Sequence, residues 1–194
     1  MKLIFATSNA NKLIEIRSLL PAGIEVEGLK DIGFTEELPE TRDTIEGNSL
    51  QKAEYLSNAL NMPCFAEDTG LIIDALNGEP GVYSARYAGE KATYQDNVDK
   101  VLAKMQGLTN RGARFKTVIT YYNKGQYVQF EGITEGIITE TPVGSNGFGY
   151  DPIFIPDGTG KTYAQMDLAE KNLYSHRKKS FAGFANHLNK ITVL

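Results

Sequence analysis

Two carboxylates, Glu67 and Asp68, lie between the apolar runs Cys64-Phe65-Ala66 and Leu71-Ile72-Ile73, with Thr69-Gly70 before the second run. Side chains alternate across a strand, so these carboxylates cannot face the same way, and one can enter a site while the other braces it. Mg²⁺ takes oxygen ligands from one or two carboxylates and leaves the rest to water and substrate phosphates. The stretch therefore predicts either a magnesium–phosphate site at a strand end or a solvated turn between two strands.

The composition of the 194-residue chain limits the classes of function. An apolar share of 41% and a charged share of 23% are typical of one globular domain, with room for two lobes. The net charge of −4 predicts no general attraction to nucleic acid or anionic lipid. A single cysteine, Cys64, predicts a reducing compartment. The short apolar run after Met1-Lys2 does not suit a signal peptide, and no run approaches a membrane span, so a cytoplasmic protein is expected.

Hydrophobic periodicity predicts helices that alternate with strands early in the chain, followed by a meander. This order favours an α/β domain with a mixed sheet. Predicted strands are Lys2–Ala6, Ile24–Val26, Phe115–Tyr122, Gln126–Glu131, Ile133–Ile138 and Ile153–Ile155. Four helices are predicted. The first follows Thr7–Lys12 and ends at Pro21 and Gly23, and the second runs from Asp43 or Thr44 to Leu60. The third runs from Thr93 to Gln106, and the fourth starts at Ser175.

Thr7-Ser8-Asn9-Ala10-Asn11-Lys12 joins the first strand to the first helix. Backbone N–H groups, the helix dipole, two hydroxyls and a lysine would suit a phosphate there. Ser and Asn are also favoured as simple helix caps, which on this segment alone is the better interpretation. Gly160-Lys161-Thr162 is not a Walker loop, because Ile155 occupies the position of that motif's first glycine.

Two later segments also suit a nucleotide. Gly144–Asp151 carries three glycines and Phe148, which indicates either a backbone that approaches a flat ligand or a loop with several residues at positive φ. Its glycine spacing excludes the dinucleotide-binding motif. Ser175-His176-Arg177-Lys178-Lys179 places positive side chains at a helix start, which is unfavourable unless an anion lies nearby.

In this order along the chain, these motifs resemble the Ham1-like inosine triphosphate pyrophosphatases, which remove non-standard purine nucleoside triphosphates. The resemblance covers nearly the whole chain. It depends on Thr7-Ser8-Asn9-x-x-Lys12, Glu67-Asp68-Thr69-Gly70-Leu71, Pro80–Tyr87, Gly147–Pro152, Lys171 and Ser175-His176-Arg177. Glu67 and Thr69 stand where many relatives have Asp and Ser, which preserves the chemical type.

The resemblance implies a long mixed β-sheet with flanking helices, two lobes around a central cleft, and a homodimer. It implies that Glu40 and Asp68 bind Mg²⁺ and that Asp68 and Lys52 are catalytic. Glu36, Glu37 and Glu46 lie close to Glu40 and compete with it for the metal role. The implied substrate-binding residues are Thr7, Ser8, Asn9, Ala10, Asn11, Lys12, Thr69, Phe148, Gly149, Tyr150, Asp151, Lys171, His176 and Arg177.

The resulting hypothesis is an Mg²⁺-dependent hydrolase that converts ITP, dITP or XTP into the monophosphate and pyrophosphate. A Maf-like nucleotide pyrophosphatase with another base preference is one alternative, and the Ser175-His176-Arg177 motif argues against it. A nucleotide-binding sensor without turnover is a second alternative. The presence of Asp68, Lys52 and Lys12 argues against it, because a sensor needs no catalytic carboxylate.

Overall fold

The computed structural model describes residues 2–20 and 23–192, and these residues form five α-helices and six β-strands. The helices are α1 (Ala10–Leu19), α2 (Ile45–Leu60), α3 (Tyr94–Lys104), α4 (Leu168–Tyr174) and α5 (His176–Thr192). The strands are β1 (Lys2–Phe5), β2 (Glu25–Gly28), β3 (Cys64–Ile73), β4 (Gly112–Asn123), β5 (Gln126–Ile138) and β6 (Phe154–Pro156).

The six strands form one mixed sheet in the order β2-β1-β3-β4-β5-β6. Strand β1 is parallel to both β2 and β3, whereas β5 and β6 are antiparallel. Strands β4 and β5 are joined by Lys124 and Gly125, both at positive φ, as a two-residue hairpin turn requires. The predicted α/β fold with a mixed sheet and flanking helices is confirmed.

The chain divides into two compact units, and the first contains the described residues within 1–68, 117–132 and 177–194. Residues 3–5 of β1 are buried on both faces of the sheet, which fits their continuous apolar run. Leu3 and Phe5 pack in a cluster with residues of α1 and α5, such as Ile16 and Phe184. The other face of the sheet packs in a second cluster against α2.

Strand β3 shows the same alternation up to Asp68. Phe65 belongs to the cluster that contains residues of α1 and α5, whereas Cys64 and Ala66 belong to the cluster that contains residues of α2. Continuing this alternation sends the side chain of Glu67 towards α1 and α5 and that of Asp68 towards α2. The strand period therefore assigns each carboxylate to a different face of the sheet.

The second unit contains residues 69–116 and 133–176. Its core combines apolar residues of β3, α3, β4 and β6 with the segment around Tyr163. Helix α3 begins with a capping box between Thr93 and Asp96, and it buries Val98 and Val101. Met105, at the end of the helix, is also buried.

Most predicted elements are confirmed within a few residues. The predicted strands Gln126–Glu131 and Ile133–Ile138 form the single strand β5, and there are two further exceptions. The interpretation of Glu67–Gly70 as a solvated turn is wrong, and so is the placement of Glu67 and Asp68 at a strand end, because β3 continues through these residues from Cys64 to Ile73. Helix α4 was not predicted. Gly23 lies at positive φ after α1, while Pro21, the other predicted helix terminator, lies outside the described residues.

The interpretation of the whole chain as a single domain of two lobes around a cleft stays a prediction. Among the helices of residues 2–20 and 23–192, none has both the length and the apolar character needed to cross a bilayer.

Candidate active site

The Lys52 ammonium lies between two carboxylates in the first unit. Lys52 is on α2, Asp68 is on β3, and Glu40 is in the irregular segment before α2. Lys52 Nζ lies 2.9 Å from Asp68 Oδ1 and 2.5 Å from Glu40 Oε1. Lys52 is 5% exposed and Asp68 is 7% exposed. The two predicted catalytic residues and the predicted metal ligand Glu40 are therefore adjacent.

Burial and charge have opposite effects on the protonation of this group. Burial raises the pKa of Asp68, and the positive charges of Lys52 and Lys12 offset that effect only in part. Burial disfavours the Lys52 ammonium, but the carboxylates of Asp68 and Glu40 outweigh burial and raise the pKa of Lys52. Asp68 thus has a greater proton affinity than an ordinary aspartate, and Lys52 keeps its charge.

The acidic residues that compete with Glu40 have other surroundings. Glu36 Oε2 accepts a hydrogen bond from the Tyr55 hydroxyl at 2.8 Å. Glu37 is exposed, and Glu46 lies in the first turn of α2. Glu40 is the one of these four that shares Lys52 with Asp68, so the geometry favours Glu40 as the second metal ligand.

The donor set of this site suits magnesium. Two carboxylates that share one cation fit an ion that takes one or two protein carboxylates and fills its shell with water and phosphate oxygens. Throughout the part of the chain that the structure describes, there is no group of three or more His, Cys, Asp or Glu side chains that could hold a metal. Glu40 and Asp68 would hold Mg²⁺.

Glu67 has a different set of partners, as its place on β3 requires. Arg177 Nε and Nη2 donate to its two carboxylate oxygens at 2.6 and 2.9 Å, and Lys12 Nζ lies 3.3 Å from Oε1. Arg177 Nη1 donates to Glu15 of α1. Arg177 is 2% exposed, and the two carboxylates raise its pKa above the ordinary value although burial opposes its charge. Glu67 therefore braces the site in a buried ion-pair network.

Arg177 was predicted to bind the nucleotide, and its surroundings favour another role. Each of its three guanidinium nitrogens donates to a carboxylate of Glu67 or Glu15. These carboxylates are the anions that a positive residue at a helix start requires. Contact of Arg177 with the base stays a prediction, whereas its ion pairs with Glu67 and Glu15 are present in the structure.

The predicted phosphate segment, residues 7–12, is a capped helix start. Asn9 Oδ1 accepts hydrogen bonds from the backbone N–H groups of Asn11 and Lys12 at 3.0 and 3.2 Å. The Asn9 N–H in turn donates to Thr7 Oγ1 at 3.2 Å. The capping interpretation is therefore confirmed. Ser8 and Ala10 are exposed, and phosphate binding by this segment stays a prediction.

In the second unit, Asp151 and Lys171 form a buried pair that organises the glycine-rich loop. Lys171 Nζ donates to Asp151 Oδ2 at 2.6 Å, and the same oxygen accepts from the Phe148 N–H at 2.9 Å. A Cβ on Gly147 would lie 2.0 Å from that oxygen, and φ of Gly147 is +73°. Only glycine fits there without displacing Asp151.

Aromatic rings surround Lys171. Its Nζ lies 5.1 Å from the centroid of the Phe148 ring and 5.2 Å from that of Tyr163. His176 is buried and stacked on Phe115, with centroids 4.6 Å apart. The ring of Tyr94, an exposed residue, lies near that of Phe148, with ring centroids 5.9 Å apart. Phe115 and Tyr94 were not predicted, and no local motif signals either residue.

Three other predicted positions have simpler environments. Tyr150 is buried, and its hydroxyl donates to the backbone carbonyl of Ser84 at 2.8 Å. Gly149 and Thr69 are half-buried. Lys161, in the segment rejected as a Walker loop, lies in a loop and pairs with Glu170. The predicted residues thus form two groups. The first unit contains acidic and basic side chains, and the second contains aromatic rings around the buried Asp151–Lys171 pair.

Comparison with known proteins identifies the family. A model of the Ham1 family matches residues 3–187. A dITP/XTP pyrophosphatase of Flavobacterium johnsoniae is 53% identical over 180 residues, 93% of this chain and 94% of that protein. A HAM1 protein structure from Coxiella burnetii is similar with a TM-score of 0.89 at 34% identity, covering 98% and 99% of the two chains. The structure of the Staphylococcus aureus Ham1 protein is similar with a TM-score of 0.88 at 36% identity, and the match again covers 98% of this chain and 99% of that one. The chain therefore belongs to the Ham1 family.

Proposed function

We propose that this protein hydrolyses ITP, dITP and XTP to the monophosphate and pyrophosphate with Mg²⁺, as a cytoplasmic homodimer. The observation that carries the proposal is the group formed by Lys52, Asp68 and Glu40, which provides two metal-ligand carboxylates and a buried cation. Relatives named dITP/XTP pyrophosphatases support the substrate class. The homodimer follows from the family resemblance, and light scattering of the purified protein tests it.

The first unit supplies groups for the chemistry of the phosphates. Bound by Glu40 and Asp68, Mg²⁺ would supply positive charge to the phosphate oxygens. Lys52 and Lys12 offset the negative charge that develops on the leaving pyrophosphate. Asp68 orients the attacking water or accepts its proton. Water attacks the α-phosphorus of the triphosphate, and the bond from that phosphorus to the oxygen bridging the α- and β-phosphates breaks. The water oxygen stays on the monophosphate, and pyrophosphate leaves with the bridging oxygen.

The second unit supplies groups for the base. The Phe148 ring offers a stacking surface, and its loop is held by Asp151 and Lys171. Hypoxanthine and xanthine carry a carbonyl at position six, where adenine carries an amino donor. A donor such as His176 would pair with the carbonyl and not with adenine. With adenine, this donor and the adenine amino group would both stay unpaired. Each buried polar group left unpaired costs about 1–3 kcal/mol, so two of them give about 10²–10⁴-fold discrimination against adenine in kcat/KM.

A panel of nucleoside triphosphates incubated with Mg²⁺ tests the proposal when pyrophosphate and phosphate are measured separately. We expect pyrophosphate from ITP, dITP and XTP, with a far higher kcat/KM than from ATP or GTP. EDTA should abolish the release, and added Mg²⁺ should restore it. Binding of ITP without turnover would instead support a sensor, and single phosphates with accumulating diphosphate would indicate another class of NTPase. Equal use of ATP and ITP would contradict the assigned base pocket.

A further inference from the structure

The irregular segment that carries Glu40 is fastened to α2 at the next two residues. The Thr41 N–H donates to Gln51 Oε1 at 2.9 Å, and Gln51 Nε2 donates back to Thr41 Oγ1 at 2.9 Å. The Arg42 N–H donates to Asn48 Oδ1 at 2.9 Å. Two side-chain amides of one helical turn therefore hold the backbone directly after Glu40.

These amides do not serve the end of the helix, because α2 already has its own cap. Thr44 Oγ1 accepts from the Gly47 N–H at 3.0 Å and satisfies one of the free donors of the first turn. The bonds to Thr41 and Arg42 lie before this cap. A Cβ on Gly47 would also come within 2.8 Å of Arg42 Cβ, so glycine allows the segment to lie close against the helix.

Asn48 lies four residues before Lys52 on the same face of α2, and it is 1% exposed. The Arg42 N–H can only donate, so the amide atom that it meets must be the oxygen, and this fixes the orientation of the amide. Nδ2 is then a buried donor, and no acceptor for it lies within residues 2–20 and 23–192. Buried amides are normally satisfied, so such a donor is retained at a cost to stability.

We propose that Asn48 and Gln51 are positioning residues that hold the Glu40 carboxylate beside Asp68. The inference rests on the proposed role of Glu40 as a metal ligand. A carboxylate on an irregular segment samples many positions unless its backbone is fixed. The two amides fix that backbone, while Lys52 fixes the carboxylate itself. Partners that orient a metal ligand typically change metal affinity or activity about 10–100-fold when they are removed.

Gln51→Ala is the principal test, because Gln51 is only half-buried and the variant should fold. Mn²⁺ binding to the nucleotide-free protein is measured by electron paramagnetic resonance. The Mg²⁺ dependence of pyrophosphate release is measured at saturating ITP. We expect Gln51→Ala to weaken Mn²⁺ binding about 10-fold and to raise the half-saturating Mg²⁺ concentration similarly. The KM for ITP at saturating Mg²⁺ and the Tm should stay near those of the unmodified protein.

Asn48→Ala should weaken Mn²⁺ binding at least as much, with a lower Tm because Asn48 is buried. Asn58→Ala is the matched control, since it makes the same change at an exposed position of the same helix. It should alter none of these quantities.

Glu40→Gln separates the two levels of the inference. If Glu40→Gln weakens Mn²⁺ binding and Gln51→Ala does not, the positioning role is wrong and the proposed function stands. If Glu40→Gln itself leaves Mn²⁺ binding unchanged, Glu40 is not a ligand, and the positioning role fails with the proposed metal site. The inference is supported if Gln51→Ala and Glu40→Gln both weaken Mn²⁺ binding and Asn58→Ala leaves it unchanged.

Discussion

Replacing Arg177 by alanine tests the buried ion-pair network of the first unit. The guanidinium is 2% exposed and donates to Glu67 at 2.6 and 2.9 Å, as well as to Glu15. Removing one partner of a buried ion pair leaves an uncompensated charge, which costs about 3–5 kcal/mol of unfolding free energy. Lys12, 3.3 Å from Glu67, remains as a second cation, so the loss of unfolding free energy should be about 3 kcal/mol, the lower end of this range.

A loss of this size has a clear effect on thermal unfolding. For a chain of this length, 1 kcal/mol shifts the Tm by about 2–4 °C, so a loss of about 3 kcal/mol in Arg177→Ala should lower the Tm by about 6–12 °C. Urea unfolding followed by circular dichroism gives the free energy directly. Arg177→Lys keeps the charge but loses the bidentate contact, so its Tm should lie between those of Arg177→Ala and the unmodified protein.

The control is Lys2→Ala, which removes one side of an exposed ion pair with Glu27 at 2.8 Å. Exposed pairs contribute about 0–1 kcal/mol, so this variant should unfold close to the unmodified protein. A double-mutant cycle of Arg177→Ala with Glu15→Gln should give a coupling energy of about 0.5–3 kcal/mol. If Arg177→Ala costs no more than Lys2→Ala, the argument for a buried network is refuted.

Three further predictions concern single residues. Asp68→Asn should lower kcat about 10²-fold or more, measured as pyrophosphate release from saturating ITP by a variant with an unchanged circular dichroism spectrum; near-normal turnover would remove Asp68 from its role. Gly147→Ala adds a Cβ 2.0 Å from Asp151 Oδ2 at a residue with φ of +73°, so the KM for ITP should rise, and an unchanged KM would contradict the assigned loop. The Cys64 thiol has its pKa raised to about 12 by burial, so iodoacetamide should modify it at pH 8 only after unfolding, which mass spectrometry detects. Rapid modification of the native protein would contradict that burial.

Local sequence patterns predicted the elements and missed the interactions between distant residues. The first strand, α2 and α3 were predictable because their apolar periodicity and caps lie within each segment. The continuity of β3 was not, because Glu67 and Asp68 in a buried strand need partners from other elements. Those partners are Lys12, Lys52 and Arg177, of which Arg177 is 110 residues from Glu67.

The same limit applies to the residues that the motifs did not reveal. Helical spacing alone places Asn48 and Lys52, four residues apart, on one face of a helix. Nothing in the sequence relates Asn48 or Gln51 to Thr41 and Arg42, because no motif records which backbone N–H a side chain accepts from. The basic helix start at Arg177 correctly indicated a nearby anion. The structure shows that Glu67 and Glu15 provide negative charge there, which sequence spacing cannot reveal.

Strand β3 directs two neighbouring carboxylates into different surroundings. Glu67 shares its face with α1 and α5 and is held by the fixed fork of an arginine, which stays protonated at any physiological pH. Its negative charge is therefore permanently neutralised, and it suits a brace. Asp68 faces α2 and meets Lys52, a single charge on a flexible stem that it shares with Glu40. That contact joins one ammonium to one carboxylate oxygen, Asp68 Oδ1, and it suits the proposed role of Asp68 as a metal ligand or base. The alternation of side chains along one strand thus places a buried structural acid beside the acid that is proposed to act in catalysis.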